Sequence, residues 1–275
     1  MSLGEDHPRR QPCAALGKEA IPCVVWFEDA IGAYGVPTVV FDLYILVTDI
    51  VAASVALEQQ GWTPTPLEQG TIGSATLDLA KYPQRRFAPR MTPGSTKVEE
   101  EVQADGLPPP PQVNEPPEVV LLPAAQFNFG FEKHVVLNDY LPSLEDLVDA
   151  LISSTLDSLD CIDLQFHLHT QVCYLYGNVP ELQDRSFADR LLFEHRQFHF
   201  DICAGMSYSS LPFIDHERKM RDELRQGRRE LQECSASRED ENLFNGPEQA
   251  RLLAMLPPPP DCEDDDHDDL ENRSS

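Results

Sequence analysis

Apolar positions along this chain follow two different periods. In the first sixty residues they come in short runs, as in "IPCVVW" at 21–26 and "TVVFDLYILV" at 38–47. Runs of this length, rich in β-branched and aromatic residues, predict buried strands. Between them "EDAIGAYG" (28–35) predicts a short helix that stops at Gly35. "DIVAASVALEQQG" (49–61) follows as a second helix. Asp49 is placed to cap it, Ile50, Ala53, Val55 and Leu57 give it an apolar side, and Gly61 is placed to end it. The predicted order is strand, helix, strand, helix. "GTIGSATLDLAKY" (70–82) holds a further strand, and "VVLLPA" (119–124) rejoins the same sheet.

From about residue 140 the period becomes helical. "SLEDLVDALISSTLD" (143–157) sets Leu144, Leu147, Val148, Leu151 and Ile152 on one face. Ser143 is its N-cap and Asp146 stands three residues on. "DLQFHLHTQVCYLYG" (163–177) is apolar on more than one side and predicts a central helix. A third helix is expected over 184–206 and a fourth, highly charged, over 214–233.

Composition divides the chain further. Residues 1–19 are polar and irregular and predict a disordered N-terminus. The segment 88–118 carries eight prolines and almost no large apolar residue, so it buries too little surface to offset its ordering entropy. It is expected to be a disordered insertion in an α/β domain spanning 20–135. A helical region covers 140–256, with "GPEQARLLAML" (246–256) as a short amphipathic helix. Residues 257–275 form an acidic, disordered tail.

The formal net charge of −26 repels phosphate backbones and argues against nucleic acid as a partner. The seven cysteines, at 13, 23, 161, 173, 203, 234 and 262, include no Cys-x-x-Cys pair, and an odd number predicts buried free thiols in a reducing compartment. No apolar run is long enough to span a bilayer and none stands at the N-terminus as a secretory signal. An intracellular, membrane-free protein is expected, with cytoplasm and nucleus not distinguished.

The stretch from Ala30 to Val47 carries the candidate chemistry. Ala30, Gly35 and Asp42, the apolar strand end "ILV" and the pair Gly61–Trp62 fall in the register of a nucleotidyltransferase cassette. This part of the chain, about residues 21–62, resembles the nucleotidyltransferases of abortive-infection toxins and the small enzymes that accompany them. The wider chain also resembles a group of proteins from filamentous fungi, which implies no activity. The family resemblance implies an α+β fold: a small nucleotidyltransferase-like mixed sheet with flanking helices, followed by a C-terminal helical region.

The resemblance also implies what is missing. In that family two carboxylates at i and i+2 on one strand face one cleft and hold Mg²⁺. Here the second of them corresponds to Tyr44. The Gly-Gly pair that lies against the phosphates corresponds to Phe27 and Glu28. The family's Arg and Thr correspond to Thr38 and Val40, and the nearest later carboxylate is Asp78. The leading expectation is therefore a catalytically inactive relative, with no cofactor, that works as an interaction or regulatory module on a protein partner. An alternative is an active, divergent Mg²⁺-dependent nucleotidyltransferase in which Glu28 or Asp29 joins Asp42 in a rearranged metal site. A third reading leaves Asp42 as a local hydrogen-bonding residue of an unrelated α/β unit.

Other motifs read as structure. His195 and His199 are four apart with Asp201 near, but the protease pattern His-Glu-x-x-His is absent, and two histidines packed between helices beside acidic partners are expected. His167 and His169, two apart, fall on different helix faces. Arg218, Lys219, Arg221, Arg225, Arg228 and Arg229 are interleaved with acids, which predicts a solvated helix face. There is no Gly-x-x-x-x-Gly-Lys phosphate loop and no Gly-x-Ser-x-Gly elbow.

Overall fold

The computed structural model describes residues 7–88, 117–137, 140–206 and 211–236. Strand β1 (Cys23–Val25), helix α2 (Glu28–Ala33), strand β2 (Leu43–Val47) and helix α3 (Ile50–Gln59) follow in the expected order, after a helix α1 (Gln11–Lys18). Then come β3 (Thr63–Thr65), a hairpin of β4 (Gly70–Ile72) and β5 (Ala75–Leu77), β6 (Arg85–Ala88) and β7 (Val119–Pro123). The main sheet has the order β1-β2-β7-β6-β3, and the hairpin forms a small sheet of its own. β2 and β7 are parallel, while the other pairs of the main sheet are antiparallel. Helices α4 (Leu144–Asp157), α5 (Ile162–Asn178), α6 (Arg196–Cys203) and α7 (Leu211–Arg225) make up the second half. The fold class is α+β: a mixed sheet flanked by helices, then a helical region.

All five residues of β2 are buried, as are Val119–Leu122 of β7. Strands covered on both faces read as unbroken apolar runs, which is why both were visible in the sequence. Leu43, Ile45 and Val47 share one core with Leu16 of α1, Ala53 and Leu57 of α3, Trp62 and Phe87. Alternation along the strands sends Tyr44 and Leu46 to the opposite face. Asp49 caps α3 as expected, accepting from the N–H groups of Val51 and Ala52, and Gly61 leaves the helix at φ +92°. The apolar side of α3 is displaced from expectation, however: Ala56 is buried and Val55 is exposed.

Several elements differ from the sequence reading. The second half of the expected disordered N-terminus is α1, held because Cys13, Ala15 and Leu16 are buried against the sheet core. The expected strand over 38–47 starts only at Leu43, where its partner β7 begins at Val119. Residues 38–42 run as an irregular segment, with no strand beside them among the described residues. Ala88, the first residue of the expected insertion, closes β6, and the Glu118 carbonyl accepts from Leu43 N–H. Residues 89–116 lie outside the described residues, as do the 246–256 segment and the acidic tail.

The third helix is also broken. Two 3₁₀ turns, Arg185–Arg190 and Phe193–His195, precede α6. The N–H of Leu192 goes to the Asp149 carboxylate at 3.1–3.2 Å and so is lost to any helical ladder. The basic residues of α7 are not all solvated either. Arg221 is buried and pairs with Asp157 at 2.7 Å, while Arg218 Nε donates to the Leu156 carbonyl at the end of α4. A cation is favoured there by the dipole of α4. Among the described cysteines, which are all free, Cys13 and Cys23 are buried, while Cys161, Cys173, Cys203 and Cys234 are partly exposed. Among the described residues no helix is long and apolar enough to cross a membrane.

Candidate functional site

The turn between β1 and α2 places Phe27 at the head of the candidate cleft. Its backbone sits at φ 53° and ψ −129°, a region that L-residues other than glycine rarely occupy. The residue is fully buried. Its ring meets Tyr44 edge-on at 5.1 Å between centroids, Phe127 at 5.6 Å and the imidazole of His167 at 4.8 Å. Edge-to-face packing at these separations is attractive beyond burial alone. Phe27 and Tyr44 therefore fill this space together.

The β4–β5 hairpin closes it. Gly73 at its tip donates its N–H to Tyr44 Oη at 3.3 Å. Gly73 has φ +55°, and a β-carbon there would stand 2.7 Å from His167 Nδ1, so the close approach admits only glycine. His167 is walled in by the hairpin, Phe27 and α5, and burial pushes its pKa down to about 4.

Each of the three carboxylates considered for metal binding has a protein partner. Asp42, just before β2, receives Arg86 Nη1 at 2.8 Å. Arg86 reaches across from β6 and also donates to the Thr71 carbonyl and hydroxyl, with Glu118 at 3.5 Å. Asp29 is held bidentately by Arg9, at 2.7 and 2.6 Å, and the same guanidinium donates to the carbonyls of Phe41 and Asp42. A fork-to-carboxylate pair of this kind is among the stronger charge-assisted contacts. Glu28 accepts from Gln171 Nε2 at 2.9 Å, with His167 Nε2 at 3.6 Å. Burial, more than any neighbour, raises the Glu28 pKa.

These three residues do not form a shared ligand cluster: among the described residues, the His, Cys, Asp or Glu groups whose donor atoms converge within 4.8 Å are Asp201, His216 and Glu217. Asp78 is exposed and accepts from Ala80 N–H within its own turn. Neither Arg9 nor Arg86 stands out in the sequence. Arg9 lay in a segment expected to be disordered, and no spacing connects Arg86 to a carboxylate 44 positions away.

Of the paired histidines 195 and 199, the first has the expected acidic side-chain partner and the second does not. His195 is fully buried, with Nδ1 2.6 Å from Asp149 and Nε2 3.1 Å from Ser153 Oγ. Asp149 and Ser153 lie four apart on α4. The N–H groups beside Ser153 are spent on that helix, so the serine has no oxyanion donors of its own backbone. His199 instead meets Tyr176 at 3.0 Å and the Asp184 carbonyl at 3.0 Å. Asp201 goes to Gln197 and Ser235, so the two histidines and this acid do not share a site. His167 faces Phe27 while His169 faces Phe213. An open groove of about 830 Å³ runs between residues 124–134 and α4, lined by Phe129, Lys133, His134, Arg190 and Arg225, and contains none of Glu28, Asp29 or Asp42.

No family model matches the sequence, and no curated protein matches it. Two solved structures align with it. A proposed nucleotidyltransferase from H. pylori is 11% identical, over 82% of this chain and 97% of that one, with a TM-score of 0.33. JHP933 from Helicobacter pylori is 12% identical, over 89% and 98%, with a TM-score of 0.32.

Proposed function

We propose that this chain is a catalytically inactive relative of the nucleotidyltransferases that acts by binding a protein partner. The observation that carries the reading is the Arg86–Asp42 pair. The carboxylate that corresponds to a Mg²⁺ ligand already holds a fixed guanidinium charge at 2.8 Å. A divalent ion brought to Asp42 must displace Arg86 or stand against it, and both are unfavourable. The aromatic cluster of Phe27, Tyr44 and His167 supports the same reading, because it occupies space that a triphosphate needs.

The backbone at Phe27 supports descent from an active ancestor. Its φ of 53° and ψ of −129° suit glycine, the residue type the family has there, although the side chain is now phenylalanine. A binding role is supported by α5, whose outer side exposes Ile162, Phe166 and Tyr174 at helical spacing, with Leu159 just ahead of them. An apolar stripe of this kind on a charged chain suits a protein surface better than a phosphate backbone.

Calorimetric titration of the full chain with Mg·ATP and Mg·GTP tests the proposal. The expected affinity is no better than about millimolar, since little remains to offset ordering and desolvation. Micromolar binding that Asp42→Ala abolishes would restore the active reading, with Mg²⁺ as its cofactor.

A further inference from the structure

Helices α6 and α7 meet at a buried polar cluster far from the cassette in sequence. Asp201, in the last turn of α6, is fully buried, and Glu217 of α7 is 1% exposed. His216 lies beside Glu217, partly open to solvent. One donor atom from each of the three lies within 4.8 Å of the other two.

Hydrogen bonds account for only part of this cluster. Asp201 accepts from Gln197 Nε2 at 2.8 Å, from Ser235 N–H at 2.6 Å and from the Ser235 hydroxyl. His216 Nε2 lies 2.6 Å from the same hydroxyl. Glu217 differs. Its side chain is linked to Asp201 by a hydrogen bond, while its Oε1 is buried with no further partner among the described residues and His216 Nε2 stands 4.0 Å from it. Among the described residues neither carboxylate has an arginine or lysine at ion-pairing distance. Arg229, whose charge is felt at Glu217, is paired with Glu223 at 3.2 Å.

Two carboxylates withdrawn from water side by side repel each other, so one of them keeps a proton toward the other unless a cation stands between them.

We propose that Asp201, His216 and Glu217 bind a divalent transition-metal ion of the zinc type, which ties α6 to α7. One imidazole nitrogen and two carboxylate oxygens form a mixed donor set. It suits zinc better than Mg²⁺, which prefers oxygen ligands and keeps several waters. Donors bound to zinc at about 2.1 Å lie roughly 3.4 Å apart, so small side-chain rotations close the present cluster around an ion. The ion replaces the Ser235 hydroxyl as the common partner of Asp201 and His216, and it displaces the proton held between Glu217 and Asp201 to solvent. His216 and Cys234, both partly exposed, mark the side from which it enters.

The test uses the full chain, stripped with a chelator and titrated with zinc chloride by calorimetry, with thermal unfolding followed in parallel. One equivalent should bind at micromolar concentration or tighter and raise the melting temperature. Glu217→Gln keeps the volume and removes the charge. It should fold, and it should bind zinc at least about tenfold more weakly, with the thermal shift lost. If that variant fails to fold, His216→Asn at the open edge of the cluster gives the same reading. The proposal is overturned if zinc neither binds nor stabilises the wild type. It is also overturned if binding is unchanged in the folded variant, because the zinc then sits elsewhere, on cysteines or on the acidic C-terminal residues.

Discussion

The Arg86 guanidinium reaches Asp42 from β6, with strand β7 lying between β6 and β2 in the sheet, and closes to 2.8 Å. Arg86 also holds Thr71 of the hairpin, so one side chain links the cassette, the main sheet and the lid over Tyr44. It is 13% exposed and Asp42 is 27% exposed, which places the pair between a surface and a buried ion pair. Arg86→Ala leaves Asp42 and Glu118 near each other without their cation, and it should cost about 1–3 kcal/mol. Asp42→Asn keeps a hydrogen-bond acceptor and should cost about 1 kcal/mol or less. Urea unfolding of the two variants and the double mutant measures the coupling. If the costs add to within about 0.5 kcal/mol, the two side chains act independently and the pair does not define the site.

Phe27 gives a prediction about residue order. Truncating a buried phenylalanine costs about 3–5 kcal/mol, whether the replacement is alanine or glycine. The two replacements differ in the backbone. Alanine keeps the strain of φ 53° and ψ −129°, while glycine removes most of it, a gain of about 1 kcal/mol or more. Phe27→Gly should therefore be more stable than Phe27→Ala, the reverse of the order inside an ordinary helix. Denaturant midpoints of the two purified variants decide it. Alanine above glycine would mean that the turn relaxes once the ring is gone.

What the sequence showed and hid follows from the range of the interactions. β2 and β7 were legible because burial on both faces writes itself as a continuous apolar run. The caps of α3 and α4 were legible because Asp49 and Ser143 act within three residues. Helix α1 was hidden, since eight residues with Cys13, Ala15 and Leu16 as the buried apolar set give no long period, and its stability comes from tertiary packing. The break before α6 was hidden because it depends on Asp149 capturing Leu192 N–H from 43 positions away. At the site, a tyrosine at position 44, two residues after Asp42, was visible. The arginines that complete the neutralisation were not, because Arg9–Asp29 and Arg86–Asp42 are contacts across the fold with no local signature.

The cap of α4 provides a test of a feature visible at both levels. Ser143 Oγ accepts from Asp146 N–H and donates to the Asp146 carboxylate at 2.7 Å, and that carboxylate also accepts from Val135 N–H. Ser143→Ala should lose about 1 kcal/mol. Asp146→Ala removes the acceptor for Val135 as well and should lose more. Thermal unfolding of both variants reads the order. Equal losses would show that the Val135 contact contributes nothing.

His167 makes the closed cleft sensitive to acid. Burial sets its folded pKa at about 4, below the value of about 6.5 expected when unfolded. The folded imidazole is therefore neutral over a window in which the unfolded one takes a proton. The stability it contributes is present above about pH 6.5, falls as the pH drops toward 4 and changes little below that. Glu28, whose pKa is raised mainly by burial, has the opposite sign, because its folded form holds a proton more readily than its unfolded form. Between pH 7 and pH 4.5 the histidine contribution alone amounts to about 2 kcal/mol. His167→Asn cannot titrate, so its unfolding free energy should fall less than that of wild type over this range, by about that amount. Urea titrations at several pH values, compared between the two proteins, give the difference directly. Parallel curves for wild type and variant would show that the protonated imidazole is accommodated by Glu28, 3.6 Å away. In that case the pocket around Phe27 and Tyr44 is more open to charge than its packing indicates.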